Sequence, residues 1–179
     1  MASIIKANQL QDFGGNSILT SDGAGNLTTQ KTLYPAFYGR LASSQTLSRG
    51  VDTKITPFTT NEIDTDNAFN GTAFTVPSGK AGKYFFTSAL FFNFESSGND
   101  GEVVRMDIYK NGSSIMRNQL QHSGSGRDIK YYSGQLNLMV DAAVSDYFEI
   151  YGYMADSSAS GTLSVYSPFS YFQGYRIGS

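Results

Sequence analysis

The stretch Gly82-Lys83-Tyr84-Phe85-Phe86-Thr87-Ser88-Ala89-Leu90-Phe91-Phe92-Asn93-Phe94 carries apolar side chains in both phases of a two-residue period. One phase holds Phe86, Ser88, Leu90, Phe92 and Phe94, and the other holds Phe85, Thr87, Ala89 and Phe91. A strand alternates its side chains between two faces, and a strand of a lone sandwich is apolar on one face and polar on the other. This one predicts a long strand with neither face left to water. A second segment, Asp146 to Met154, sets Phe148, Ile150 and Met154 against Tyr147, Glu149, Tyr151 and Tyr153. Near the C-terminus Phe169, Tyr171, Gln173, Tyr175 and Ile177 share one phase. Aromatic rings on the phase that should be wet fit a buried subunit interface, because contiguous exposed aromatic patches are rare in monomers. The alternative is a two-layer core covered by loops.

Working outward, short strand candidates recur: Ala36 to Leu41, Asp52 to Phe58, Ala73 to Val76, Val103 to Tyr109, Ser114 to Gln121, Tyr131 to Val140 and Tyr166 to Ile177. Turn residues separate them. Asn111-Gly112 between two strands is the strongest hairpin signal in the chain. Evenly spaced short strands indicate an all-β sandwich or jelly roll of about ten strands. Composition agrees: of 179 residues 12 are Tyr, 13 Phe and 19 Gly, while only 16% are charged, which disfavours both disorder and a solvated helix.

Residues 1 to about 33 read differently. They are polar and rich in Gly, Asn and Ser, with turn signals at Gly14-Gly15-Asn16 and Asp22-Gly23-Ala24-Gly25-Asn26 and short strands at Ser17 to Thr20 and Leu27 to Thr29. So small a hairpin needs a partner surface; the alternative is a floppy tail. The expected organisation is an arm, 1–33, and a head, 34–179.

Candidate chemistry is thin. There is no Cys, so disulfides, thiolate metal sites and Cys nucleophiles are absent. The single histidine, His122, lies at the edge of a Gly/Ser loop, and no G-x-S-x-G elbow accompanies it. The Asn61 to Asn67 loop is oxygen-rich but lacks the Gly and distal Glu of an EF-hand, so a solvated loop outweighs calcium. A carboxylate pair for glycoside cleavage would have to come from Asp100, Glu102 and Asp107. The net charge of −2 and scattered Lys and Arg argue against nucleic acid. The Met1 to Asp12 segment has no signal-peptide core, and no apolar run is long enough for a membrane helix. The expectation is a chain with no enzymatic activity, cofactor, metal or membrane insertion.

Four segments, in order, resemble the tumour necrosis factor and complement globular-head superfamily over about Ala36 to Ile177. Phe74-Thr75-Val76-Pro77 leading to Gly82-Lys83-Tyr84-Phe85-Phe86 is similar to its "F-x-x-P-x-x-G-x-Y-x-F" signature, with two extra residues between the Pro and the Gly. Ile108-Tyr109-Lys110-Asn111-Gly112 is similar to its "hydrophobic-x-K-N-G" hairpin. Ser145-Asp146-Tyr147-Phe148 stands where the family has "Gly-Asp-x-Val", and Phe172-Gln173-Gly174-Tyr175 resembles its terminal "F-x-G-aromatic" strand. The resemblance implies a ten-stranded jelly roll assembled as a threefold trimer through aromatic side chains, for which Phe85, Phe91, Tyr147, Tyr151, Tyr153, Tyr171 and Tyr175 are the candidates.

The opening phrase Ala2-Ser3-Ile4-Ile5-Lys6-Ala7-Asn8-Gln9-Leu10-Gln11-Asp12, with the two Gly-rich turns after it, is similar to the start of virion structural proteins of marine and cyanobacterial phages. That resemblance implies a docking arm using Ile4, Ile5, Leu10, Ile18, Leu19 and Leu27. It implies a protein made in the host cytoplasm and carried on the virion, whose partners are itself, capsid or tail proteins, and a host surface glycan or protein if the head also binds a receptor. Loops such as Glu95 to Gly101 and Ser157 to Gly161 would serve that role. An envelope-polysaccharide depolymerase is the third reading.

Overall fold

A computed structural model describes residues 7–29, 35–60, 62–94, 101–122, 130–156 and 163–178. The chain forms two compact units, Met1–Tyr34 and Pro35–Ser179.

The first unit is a three-stranded antiparallel meander of β1 (Gln9–Gln11), β2 (Ser17–Ser21) and β3 (Leu27–Thr29). Its two turns are built alike, ten residues apart. Asp12 accepts hydrogen bonds from the Asn16 backbone at 2.9 Å and from its side-chain amide at 3.0 Å. Asp22 does the same with Asn26, at 3.1 and 2.6 Å. These amide hydrogen bonds, the side-chain one first in each case, hold both carboxyls below the ordinary Asp range.

The second unit contains β4 (Ala36–Arg40), β5 (Gln45–Thr46), β6 (Thr53–Lys54), β7 (Ile63–Asp64), β8 (Ala73–Thr75), β9 (Gly82–Phe94), β10 (Gly101–Lys110), β11 (Ser113–Gln121), β12 (Tyr131–Ala142), β13 (Tyr147–Asp156), β14 (Leu163–Val165) and β15 (Tyr171–Gly178). They pair into two antiparallel sheets. In one, β12 runs along one edge of β9, while β15 and β14 share the other; β4 and β7 continue beyond β15, and β5 beyond β14. In the other, β10 lies between β11 and β13, and β6 and β8 divide the far edge of β13. The architecture is the expected all-β jelly-roll sandwich, and no described residue is helical.

The core follows from the alternation of the two diagnostic strands. Tyr84, Phe86, Leu90 and Phe92 of β9 and Phe148, Ile150 and Met154 of β13 have no exposed surface. Phe86 and Phe148 meet across the sandwich at 4.3 Å between ring centres, and Phe37 packs on Phe69, Phe74 and Phe172 at 4.7 to 4.8 Å. Gly174 allows this. A Cβ there would lie 2.3 Å from Phe86 Cδ1 and 3.0 Å from Phe37 Cε1, so the "F-x-G-aromatic" segment needs its glycine for ring packing.

Two expected strands contract. Asp52 to Phe58 pairs as a strand only at Thr53–Lys54, because Pro57 carries no N–H. Tyr166 to Ile177 begins only at Tyr171: residues 166–170 form a bend around Pro168 whose Ser167 hydroxyl donates to the Leu41 carbonyl at 2.6 Å.

Candidate functional site: two outer sheet faces of opposite character

The sandwich has two outer faces, and β9 and β13 each run through the middle of one. On the β9 sheet the register sets Met139, Phe85, Tyr175 and Ala36 side by side across four strands, then Asn137, Thr87, Gln173 and Tyr38, then Gln135, Ala89, Tyr171 and Arg40. Met139 is 71% exposed and Tyr175 48%. Phe85 and Tyr175 rings sit 5.7 Å apart. At the other end of β9, Phe91 gathers Tyr131, Tyr166 and Phe169 within 5.6 to 6.3 Å around a hollow of about 330 Å³. Along the described strands of this face the charged residues are Lys83, Asp141 and Arg40, and each is ion-paired, Lys83 with Asp141 at 2.8 Å and Arg40 with Glu62 at 2.9 Å. The face is two apolar ends joined by a polar belt whose one charge, Arg40, lies at the β4 side and is paired with Glu62. In that belt the Thr87 hydroxyl is buried without a hydrogen-bond partner among the described residues.

The β13 face is the reverse. Tyr151 stacks on Tyr109 at 4.0 Å, and the Arg105 guanidinium lies 4.1 Å from the centre of the Tyr153 ring. Lys54 pairs with Glu149, Arg105 with Asp52, and Arg117 with Asp107 at 2.8 Å. Asp107 is 1% exposed, with one oxygen accepting from Ser114 at 2.7 Å and Arg117. Alternation alone marks it as a solvent position, and it is enclosed instead by the cations beside it. Burial would lower the Arg105 value, but Asp52 and Asp107 together raise it. Rings and charges on this face pair with one another, although Arg105 Nε and Asp107 Oδ2, 3.2 Å apart, make no hydrogen bond among the described residues.

The seven predicted interface residues therefore do not form one surface. Phe85, Phe91, Tyr171 and Tyr175 lie on the β9 face; Tyr147, Tyr151 and Tyr153 lie on the β13 face, on the far side of the core. A two-residue period tells which side of its own strand a residue occupies, not which sheet that strand joins. The β9 face also holds Tyr131 and Met139, which sequence reasoning missed, Tyr166, and Phe169, which shares a sequence phase with Tyr171 and Tyr175 but was not among the seven. The signal for the first two was an apolar residue at each end of the polar phase of β12.

Of the docking residues, Leu10 and Leu19 pair directly in the register of the meander and Ile18 occupies the opposite phase. Leu10 is 56% and Ile18 48% exposed. Leu27 pairs with Ser21. Ile4 and Ile5 lie outside the described residues, as do Asn61, residues 95–100, 123–129 and 157–162, and with them the proposed receptor loops and Asp100.

The remaining candidates separate. The His122 amide donates to the Glu102 carbonyl at 2.7 Å, closing the β10–β11 ladder. In the oxygen-rich loop Glu62 faces Arg40, Asp64 accepts the Ala68 and Phe69 amides at 2.9 Å each, and Asp66 accepts the Thr65 hydroxyl. Among the described residues no three His, Cys, Asp or Glu side chains group as metal ligands.

Sheets, register and core together define a jelly-roll sandwich, a fold similar to that of tumour necrosis factor and complement globular domains. Solved structures bear this out. The chain is similar to Eiger TNF from S. frugiperda (7% identity, 82% of this chain and 94% of that one, TM-score 0.59). It is also similar to murine APRIL at pH 8.0 (11%, 80% and 99%, TM-score 0.57) and to the globular domain of the zebrafish complement 1qA protein (13%, 80% and 97%, TM-score 0.50). At these identities the likeness is one of fold. No protein-family model matches the sequence, and no curated protein matches it.

Proposed function

We propose that the protein is a non-enzymatic, homotrimeric surface component of a phage particle, its jelly-roll head closed about a threefold axis by the β9 face and its N-terminal unit attaching it to a capsid or tail protein. The observation that carries the assembly is the contrast between the two outer faces. Interface cores are depleted of charge and enriched in aromatic residues and Met. The β9 face meets that description; the β13 face, with five charged residues on its strands and Asp52 beside them, does not.

A threefold ring needs two different patches, because each copy meets its neighbour heterologously. The head offers a second patch where both sheets end, at β11 and β12. Met116 and Leu120 point to the core side there yet stay 37% exposed, and Asn118 spans the gap, donating to the Gln135 carbonyl at 2.9 Å and accepting from Tyr132 at 3.0 Å. We assign this open side to the β9 face of the next copy. About 800 Å² from each partner is the usual size of a stable contact. Sedimentation of the purified chain tests the assembly: a trimer is expected, and a monomer overturns it.

The particle role rests on the N-terminal resemblance. Chains lacking residues 2–29 should stay trimeric and fail to join particles; decoration by the truncated chain would sink that part alone. Receptor binding is a second reading, supported by the exposed aromatic hollow around Phe91. Binding of purified heads to host cells, competed by free sugar, separates it from decoration.

A further inference from the structure

We infer that the N-terminal meander folds by packing against the meanders of two other copies of this chain, forming a threefold bundle before any particle partner is met. This rests on the trimer reading and goes beyond it, because docking alone requires no contact between arms.

The meander has no interior. Between Ala7 and Asn26 no residue is buried. Phe13 is fully exposed, and Leu10 and Ile18, in opposite phases of the sheet, are each about half exposed. A small sheet with apolar groups in both phases and no second layer of its own does not hold by itself in water. Something covers it, and its charge pattern says what.

Residues close to a threefold axis meet their own copies, so charge placed there is set against like charge. From Ala7 to Thr29 the chain has two charged residues, Asp12 and Asp22. Both sit in turns, where Asn16 and Asn26 amides engage them. The strands carry Gln, Ser, Thr, Leu and Ile only. Edges β1 and β3 have no Lys, Glu or Pro of the kind that discourages strand addition. Such strands are compatible with identical copies and give a foreign protein no charge by which to be chosen. Three arms joined to one head trimer are also held at high effective concentration. In this arrangement Leu10, Ile18 and Leu19 are covered by other arms, and the Phe13 turn remains to be presented to the particle.

The test is hydrogen exchange of the purified full-length chain, with no other protein present, read beside sedimentation. The β2 amides should exchange about a hundredfold slower than in an unstructured peptide while the chain sediments as a trimer. In the Phe85→Asp/Met139→Asp variant, with folding of the head checked by circular dichroism, the trimer and the arm protection should be lost together. Leu19→Asp should remove the protection and leave the trimer. A trimer with unprotected arms, or arms protected only once particles are added, overturns the inference and leaves the head reading standing. Equal protection in the monomeric variant overturns it as well. A monomeric wild-type chain overturns both readings.

Discussion

Asn111 and Asp146 are joined by a 2.7 Å hydrogen bond from the Asn111 side-chain amide to Asp146 Oδ1, and the Tyr147 amide returns a bond to Asn111 Oδ1 at 2.9 Å. Lys110 completes the cluster with its ammonium 2.8 Å from Asp146 Oδ2. The "K-N-G" tip of the β10–β11 hairpin is thus bolted to the turn between β12 and β13, so two motifs far apart in the sequence are one structural joint. Asn111 and Gly112 both take positive φ, 52° and 79°, as the tight hairpin requires. Asp146→Ala would remove the acceptor shared by Lys110, Asn111 and the Ala143 amide, leaving the last two unpaired while Lys110 keeps the Asp141 carbonyl at 2.9 Å. A loss of about 1–3 kcal/mol is expected, measured by urea unfolding at fixed chain concentration. A double-mutant cycle with Asn111→Ala should return a coupling of about 1 kcal/mol; strict additivity would show that the joint is not cooperative.

The same joint makes an acid prediction. Burial would raise the Asp146 carboxyl, but hydrogen bonds from Lys110, Asn111 and the Ala143 amide outweigh it and hold the group below 3.8. A carboxyl depressed in the folded state gives stability that is present above its unfolded value and lost as pH falls through the folded one. Unfolding midpoints of the native chain should therefore fall below pH 3.8 more steeply than those of Asp146→Asn. Parallel curves would show that Asp146 is not the group responsible.

Ser145, beside this joint, has a φ of 70°, and it stands where the resembled family has glycine. The left-handed region costs a non-glycine residue roughly 1–2 kcal/mol, and glycine gives back part of that through the unfolded chain. Ser145→Gly should raise stability by about 0.5 kcal/mol, seen as a higher midpoint at unchanged denaturant slope.

How much of this was legible beforehand differs between fold and site. The long strand β13 declared itself by alternation over nine residues, β9 by an aromatic-rich run apolar in both phases and flanked by turn residues, and Asn111-Gly112 fixed the hairpin between β10 and β11. The pairs Gln45–Thr46 and Ile63–Asp64 left no period to read: Gln45 is held by its side chain, which donates to the Lys54 carbonyl at 2.8 Å and accepts from the Thr56 amide at 2.9 Å. Asp107 was misread as a possible catalytic carboxylate because its enclosure comes from Arg105 and Arg117, one on its own strand and one on β11. The seven candidate interface residues fall on two sheets for a related reason, since sheet membership of β9 and β13 is decided by long-range pairing.

That division gives a direct comparison of faces. Met139→Asp and Phe85→Asp put charge into the apolar end of the β9 face and should convert the proposed trimer to monomer. Tyr147→Ser, at an exposed position of the β13 face, should leave sedimentation unchanged. The opposite result would move the interface to the charged face.

Gly174→Ala should be among the most damaging single methyl additions to the head. The new Cβ meets Phe86 and Phe37 ring atoms within 3.0 Å, and those rings are pinned by Phe148, Phe74 and Phe172. Overpacking of this kind costs about 1–3 kcal/mol. A variant as stable as the native chain would mean that the aromatic cluster is looser than its ring spacings imply.

Tyr84 supplies the alkaline counterpart to Asp146. Its ring is buried in the core and its hydroxyl donates to the Lys80 carbonyl at 2.7 Å. Burial pushes the phenol up from 10.0 to about 12, against a smaller opposing pull from Arg176. In the unfolded chain the phenol ionises near 10.0, whereas the folded chain keeps the proton, so the stabilisation is complete below 10.0 and drains away as pH rises towards 12. Tyr84→Phe should cost about 1 kcal/mol at neutral pH, for the lost hydrogen bond, and should lose less stability than the native chain across that window. The two chains differ only at position 84, so the difference between their melting curves isolates this phenol. A difference that does not change with pH would show that Tyr84 ionises as freely folded as unfolded, and its burial would then have to be reconsidered.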